Sequence, residues 1–165
     1  MKWVIAPHEI DEAHLCRIEK RLTPESVRYS RYVEGAKSCR VMIIDNIGML
    51  SSVYRYASIA AVGGGFGRGI HNILEPACWG IPVLFGPHHL KFREAVQLKE
   101  RGGAVSFDNF ETFTSVVEKY LSDPVALEAA GNASAIYISE NKGSTDKVYK
   151  EIFENQNAEN LFKKR

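Results

Sequence analysis

"VGGGFGRGIHNILEPACWGIPVLFGPH", Val62 to His88, decides how the chain is read. Seven of the 13 glycines in the whole chain fall between Gly63 and Gly86. Freedom of the main chain is therefore concentrated in one place, where it can turn tightly or approach a ligand. "IAAV" (Ile59 to Val62) on one side and "IPVLF" (Ile81 to Phe85) on the other are short apolar runs of the kind that form buried strands. Between them lies a turn-rich segment and then a helical pattern through Ala77. Strand, glycine turn, helix and strand make a β-α-β unit, the building block of parallel sheets.

The same alternation extends both ways. Upstream, "WVIA" (Trp3 to Ala6) and "CRVMIID" (Cys39 to Asp45) read as strands. "EIDEAHLCRIEKRL" (Glu9 to Leu22) reads as a helix with Ile10, His14, Leu15, Ile18 and Leu22 on one face, and "MLSSVYRYA" (Met49 to Ala57) reads as helical. Downstream come a helix, "FREAVQLKERG", and a strand, "GAVSF" (Gly103 to Phe107). The remainder is helical: "NFETFTSVVEKYLSD", "PVALEAAGNASAIYISEN" and "GSTDKVYKEIFENQN". The polar end "NAENLFKKR" is expected to fray. Five strands separated by helices predict an α/β fold, a Rossmann-like doubly wound parallel sheet, and 165 residues suit a single domain spanning 1–165 with a helical C-terminal tail.

Composition narrows the function. Lys and Arg total 21 against 20 Asp and Glu, a net charge of +1, which argues against a nucleic-acid binder with its basic stripe. Cys16, Cys39 and Cys78 are odd in number and never in a C-x-x-C arrangement, which fits a reduced setting. The opening "MKWVIAPHEI" carries too short an apolar run for a signal peptide, and nothing approaches the roughly 20 apolar residues of a membrane span. The fragment is expected to be soluble.

In an open parallel sheet, ligands sit beyond the carboxyl ends of the strands. The residues just past each strand therefore carry the most information: Pro7-His8-Glu9, then Asp45-Asn46-Ile47-Gly48-Met49, then Gly63-Gly64-Gly65, then Gly86-Pro87-His88. Gly65-Phe66-Gly67 would need a glycine at position 70 to complete G-x-G-x-x-G, but Ile70 stands there, and no G-x-x-x-x-G-K-[ST] occurs. Two readings of the glycine cluster remain: a phosphate seat before a helix that begins near Asn72, or simply a tight strand-to-helix turn. Glu75 likewise has two. It closes a capping box with Asn72, or Pro76 sets the first helical turn and Glu75 faces the rim, where a carboxylate accepts hydroxyl bonds from a ribose diol. His71 and Glu75 alone do not make a metal site. Cys78 reads as a small core residue, and Tyr29, Tyr32, Tyr54 and Tyr56 as packing and surface residues.

These residues carry a family resemblance. "GGGFGRGIHNILEPACWGIPVLFGPH", with "DNIGML" upstream, "LKFREA" after it and "ENKGS" near the end, resembles the C-terminal domain of bacterial Kdo (3-deoxy-D-manno-octulosonic acid) transferases. The likeness runs from Trp3 to about Phe153. "E-P-A-x-x-x-G-x-P-V", Glu75 to Val83, is similar to many two-domain GT-B glycosyltransferases, whereas "HN-x-LEP", "GPH" and "D-x-x-G-x-L" point to this one family.

The resemblance implies the C-terminal half of a GT-B glycosyltransferase, binding the nucleotide sugar CMP-Kdo through Pro7 and His8, through Ile47, Gly48 and Met49, and through Asn72, Ile73, Leu74 and Glu75. The family transfers Kdo to a lipid A precursor in lipopolysaccharide biosynthesis, at the cytoplasmic face of the inner membrane of Gram-negative bacteria. Its general base lies in the N-terminal domain, so no catalytic residue is expected in this chain, which would be inactive alone. Neither a metal nor another cofactor is implied. The chain departs from the family in reading Pro7-His8 where Pro-Arg-His is usual, in Ile70 at a glycine position, and in Met49 where an acidic residue is commoner. The alternatives are another GT-B nucleotide-sugar enzyme, such as a UDP-sugar transferase or epimerase, and a non-catalytic nucleotide-binding module.

Overall fold

The protein is described by a computed structural model over residues 1–22, 26–32, 39–67 and 69–154. The fraying expected for "NAENLFKKR" falls outside these residues. The chain divides into two compact units, Met1–Tyr56 and Ala57–Arg165.

In the first unit the element order is β1 (Trp3–Ile5), α1 (Glu12–Leu22), β2 (Ser26–Arg28), β3 (Val41–Ile43) and α2 (Leu50–Val53), with a 3-10 turn at Tyr29–Arg31 and another at Tyr54–Tyr56. All pairings are parallel, in the order β1-β3-β2: Trp3 aligns with Val41, Ile5 with Ile43, and Arg28 also with Ile43. The central strand ends in the buried Ile43, followed by the buried Ile44, while β1 leaves Trp3 and Val4 exposed. β2 is absent from the sequence reading for a physical reason. Three residues, Ser-Val-Arg, show no apolar alternation, and the strand exists because Arg28 has partners beneath it.

Arg28 is buried. Its Nη1 and Nη2 donate to the two carboxylate oxygens of Glu12 at 2.6 and 2.8 Å, and its Nε and Nη2 donate to Glu19 at 2.9 and 2.7 Å. The spacing of Glu12 and Glu19 puts both carboxylates on one face of α1, two turns apart. All three guanidinium nitrogens are thus engaged, which is the condition for keeping a charge out of water. The fork matches a planar guanidinium better than a lysine ammonium could.

The second unit holds β4 (Ala60–Ala61), α3 (Leu74–Ala77), β5 (Val83–Phe85), α4 (Arg93–Glu100), β6 (Ala104–Ser106), α5 (Phe110–Ser122), α6 (Pro124–Asn141) and α7 (Ser144–Tyr149), the last continuing into a π-helical stretch at Lys150–Glu154. The sheet is again parallel, in the order β4-β5-β6. All three residues of β5 are fully buried. Successive side chains of a strand point to opposite faces, and here each face has its own helical cover. Val83 and Phe85 pack with Ile73, Ala77, Ala95, Leu98 and Tyr137, whereas Leu84 packs with Val117, Tyr120 and Ala130. This two-sided cover is the doubly wound pattern.

Capping fixes the helical half. Asn109 accepts from the Thr112 N-H while the Thr112 hydroxyl accepts from the Asn109 N-H, a closed capping box for α5. Asp123 caps α6 by accepting from Ala126 N at 3.0 Å, with Pro124 at the first helical position, where its missing N-H costs nothing. Ser134 and Tyr137 turn inward from α6, Ser134 Oγ donating to the Gly103 carbonyl at 3.0 Å and the Tyr137 hydroxyl to Gln97 at 3.1 Å. Each unit contains one tryptophan, Trp3 in β1 and Trp79 just past α3, both partly exposed. Cys78 is exposed, not the small core residue expected of it, because the short α3 ends at Ala77 and the buried side is taken by Pro76 and Ala77.

The Arg28 cluster has a pH signature. Hydrogen bonds from Arg28 first, and from Cys16 second, lower the Glu12 carboxyl from 4.5 to about 2. A folded value below the unfolded one means that its contribution is complete above about pH 4.5 and is lost as pH falls toward 2. Thermal midpoints measured from pH 7 down to 2 should therefore fall across that window. Glu12→Gln should show a shallower slope there, and parallel slopes would contradict the assignment.

Candidate functional site

The distinctive geometry of the second unit lies beyond the carboxyl ends of β4 and β5. Val62 N still donates to Leu84 O at 2.8 Å, after which the chain doubles back on itself. Gly64 bridges Ile70 in antiparallel fashion, Gly65 N donates to Gly69 O at 2.6 Å, and His71 N donates to Gly63 O at 3.1 Å. The glycine cluster is thus a small hairpin, a form neither of its sequence readings anticipated. Gly65 has φ +81°, and a Cβ there would lie 2.8 Å from Gly86 Cα; a Cβ on Gly86 would lie 2.7 Å from Gly64 O. The loops after the two strands meet backbone to backbone. His88 N adds a bond to Gly65 O at 2.8 Å, and its ring Nδ1 lies 3.1 Å from Gly67 O.

The hairpin delivers the chain to Asn72–Glu75. The Asn72 carboxamide oxygen accepts from Leu74 N at 3.0 Å, an Asx turn, and its Nδ2 donates to Glu75 Oε1 at 3.1 Å. Helix α3 starts at Leu74, with Ile73 at its N-cap, and so begins near Asn72 and not at Pro76. Pro76 is accommodated at its third position, where the N-H would have no intrahelical partner. The capping-box reading is therefore replaced. Glu75 meets the side-chain amide of Asn72, an interaction that holds the carboxylate without consuming its second oxygen. With only four residues, α3 has little dipole to offer, and what this point presents is side chains and individual N-H groups. Ile73 is buried in the core and can face a ligand only through its main chain, whereas Leu74 is exposed and Glu75 is half-buried.

In the first unit, Pro7 and His8 lie just past the end of β1, Pro7 half-buried and His8 exposed. Ile47, Gly48 and Met49 lie past the end of the adjacent β3. Ile47 is 88% exposed, an apolar side chain presented to solvent, and Gly48 turns the chain at φ +91°. Met49 forms the N-cap of α2, and its carbonyl accepts from Ser52 N and Val53 N. A residue pair that sequence reasoning missed braces this turn. Asp45 Oδ1 accepts from Ser30 N at 3.0 Å, and its Oδ2 from the Ser30 hydroxyl. Burial acts to raise the Asp45 carboxyl, but the Ser30 hydroxyl and N-H, its own N-H and the charge of Arg28 together bring it below its ordinary value. The signal available was the Asp of "D-x-x-G-x-L"; its partner lies just past a strand that the sequence does not announce.

His89, next to the exposed His88, is buried against Phe85 with ring centroids 5.0 Å apart, and its Nδ1 has no partner among the described residues. Phe66, Phe107, Phe110 and Phe113, with Asn109, line an apolar recess of about 320 Å³, the Phe66 ring tilted against Phe107 at 5.4 Å. Among the described residues no three His, Cys, Asp or Glu are placed to hold a metal ion, and no helix is long and apolar enough to cross a membrane.

No protein-family model matches the chain. Individual proteins do. It is 34% identical over 105 residues, 63% of the chain, to 29% of the 3-deoxy-D-manno-octulosonic acid transferase of Aquifex aeolicus. It is 30% identical over 152 residues, 89% of the chain, to 34% of the transferase of the same name from Chlamydophila psittaci. The chain is a Kdo transferase relative. It spans about a third of the length of the Kdo transferases it matches. Its fold is like that of the C-terminal CMP-Kdo binding domain of WaaA from Acinetobacter baumannii, with a TM-score of 0.72 at 22% identity over 82% of this chain and 72% of that one. That share of the chain exceeds what either unit spans, so the likeness reaches into both. A second solved structure, the spinosyn forosaminyltransferase SpnP, matches with a TM-score of 0.53 at 17% identity over 91% of this chain and 42% of that one. The mixed α/β fold with parallel sheets is thus that of the C-terminal half of a GT-B glycosyltransferase.

The contact of Gly65 with Gly86 gives a discriminating test. Gly65→Ala and Gly86→Ala should each cost more than about 2 kcal/mol, because the clash is with backbone and cannot be relieved by a rotamer. Gly67→Ala, with nothing within 4 Å of the new methyl group, should stay within about 0.5 kcal/mol in urea unfolding.

Proposed function

We propose that residues 1–165 form one nucleotide-sugar-binding domain that holds CMP-Kdo, the donor half of an enzyme that transfers Kdo to a lipid A precursor. The observation that carries the reading is the kinship with Kdo transferases together with the arrangement at Asn72–Glu75. The nucleotide is held by Pro7 and His8, by Ile47, Gly48 and Met49, and by Asn72, Ile73, Leu74 and Glu75. Ile47 offers apolar surface of the kind a pyrimidine ring covers, and Gly48 keeps the adjoining turn free of a side chain. Glu75, positioned by Asn72, accepts from the ribose diol through its remaining oxygen capacity. Ile73 contributes its main-chain N-H at the N-cap of α3, and Leu74, whose own N-H is held by Asn72, contributes its exposed side chain.

Transfer also needs a base for the acceptor hydroxyl and stabilisation of the departing CMP phosphate. We assign the base to the N-terminal domain of the full-length enzyme, and the present chain to donor binding and leaving-group stabilisation. The acceptor, a lipid A precursor, and the cytoplasmic face of the inner membrane belong to the same proposal for the full-length protein.

NMR titration of the chain with CMP should move the resonances of Ile47 to Met49 and Asn72 to Glu75, with a dissociation constant of about 0.1 to several mM, worth about 3 to 5 kcal/mol. Saturation by NAD, ATP or a UDP-sugar in preference to CMP would overturn the reading. Glu75→Gln retains one oxygen that can accept from Asn72 but removes the charge and turns the other acceptor into an NH2 donor, so thermal stability should hold while CMP binding weakens by about 1 to 2 kcal/mol. Repeating the comparison with 2′,3′-dideoxy-CMP completes a double-mutant cycle, with expected coupling of at least about 1 kcal/mol. Coupling near zero would remove the ribose role from Glu75.

A further inference from the structure

The exposed His88 makes two contacts with one arm of the glycine hairpin, and neither is needed to bury it. Its main-chain N-H donates to Gly65 O at 2.8 Å, and its ring Nδ1 stands 3.1 Å from Gly67 O. A carbonyl oxygen only accepts, so Nδ1 carries the proton and the imidazole is the donor. The two bonds grip alternate residues of a segment in which Gly63, Gly64, Gly65 and Gly67 leave the main chain more freedom than any other sequence would. A single residue, His71, separates Ile70, the bridge partner of Gly64, from Asn72 and its hold on Glu75. The orientation of that pair is therefore inherited from the hairpin.

We propose that His88 is a positioning residue for the donor site: through Gly65 and Gly67 it holds the glycine hairpin in the conformation that presents Asn72 and Glu75. This role rests on the donor-binding reading. It belongs to no motif residue that the resemblance assigned to the nucleotide, and it requires no contact between His88 and the ligand. A loop ordered before binding spares the ligand the cost of ordering it, and the apparent affinity falls in proportion when the competent fraction falls.

Three substitutions distinguish the ring nitrogens. The amide nitrogen of Asn lies where Nδ1 of His does, that of Gln lies nearer the place of Nε2, and Ala has neither. In the free protein, hydrogen exchange is followed at the Gly65 amide, bonded to Gly69 O, and at the His71 amide, bonded to Gly63 O. CMP affinity and the thermal midpoint are measured alongside. His88→Ala and His88→Gln should accelerate exchange at both amides and weaken CMP by roughly 2- to 10-fold, the effect of one neutral hydrogen bond, with the midpoint little changed. His88→Asn should restore exchange and affinity to within about twofold of wild type, as retention of the Nδ1 donor requires. Rescue of CMP binding by Gln and not by Asn would replace positioning with direct contact through Nε2. Faster exchange with unaltered affinity, or unaltered exchange in all three variants, would also overturn the proposal. Failure of the wild-type chain to bind CMP would instead remove the donor-binding reading, while the exchange measurements would still decide whether His88 holds the hairpin.

Discussion

At Gly65 and Gly86 two main chains touch with no side chain between them, and the rim of the second unit is arranged around that contact. Strands β4 and β5 are already neighbours in the sheet, but pairing alone would leave the loops beyond them free to diverge. Backbone contact closes that freedom and lets the His88 N-H reach Gly65 O. The chain then has to fold back as a hairpin before it can enter α3. Asn72, Ile73, Leu74 and Glu75 are consequently presented by a backbone fixed at both ends: the hairpin on one side, and the burial of Ile73 and Ala77 in the core on the other.

The fold was legible where a single physical signal dominated. Helix α6 coincides with the segment read from Pro124 to Asn141, because an Asp-Pro start and a run of small residues leave little ambiguity. Strands β3, β5 and β6 fall inside the apolar runs that suggested them. Strand β2 did not announce itself, since its stability depends on a guanidinium meeting two carboxylates of a helix 9 and 16 residues earlier in the chain. No window of local pattern contains that information. The same is true of Ser30, which braces Asp45 from a distance of 15 residues.

Legibility at the candidate site was divided in a similar way. The residue types were apparent from sequence, but the geometry at Asn72 and Glu75 was not, because capping rules assume that a carboxylate three residues on returns to the backbone. Here the Asn72 amide intercepts it. The glycine cluster posed the opposite difficulty. Permissive residues allow many conformations, and which one is adopted depends on Gly86 and His88, more than 20 residues further along the chain. The exposure of Cys78 has a related origin, since a four-residue helix offers too short an inward face to include it.

The placement of the two tryptophans has an optical consequence. Trp3 belongs to β1 in one unit, and Trp79 stands beyond α3 in the other, its main-chain N-H bonded to Pro76 O at 3.0 Å. Indole emission shifts with the polarity of its surroundings, and both rings are only partly covered, at 39% and 43% exposure. Replacing either one by phenylalanine would leave a chain with a single tryptophan, which can be excited apart from the seven tyrosines and reports on a single unit. Trp79 alone would then give a label-free signal from the turn just after Asn72–Glu75, with Trp3 serving as the separate gauge of the strand that leads to Pro7 and His8.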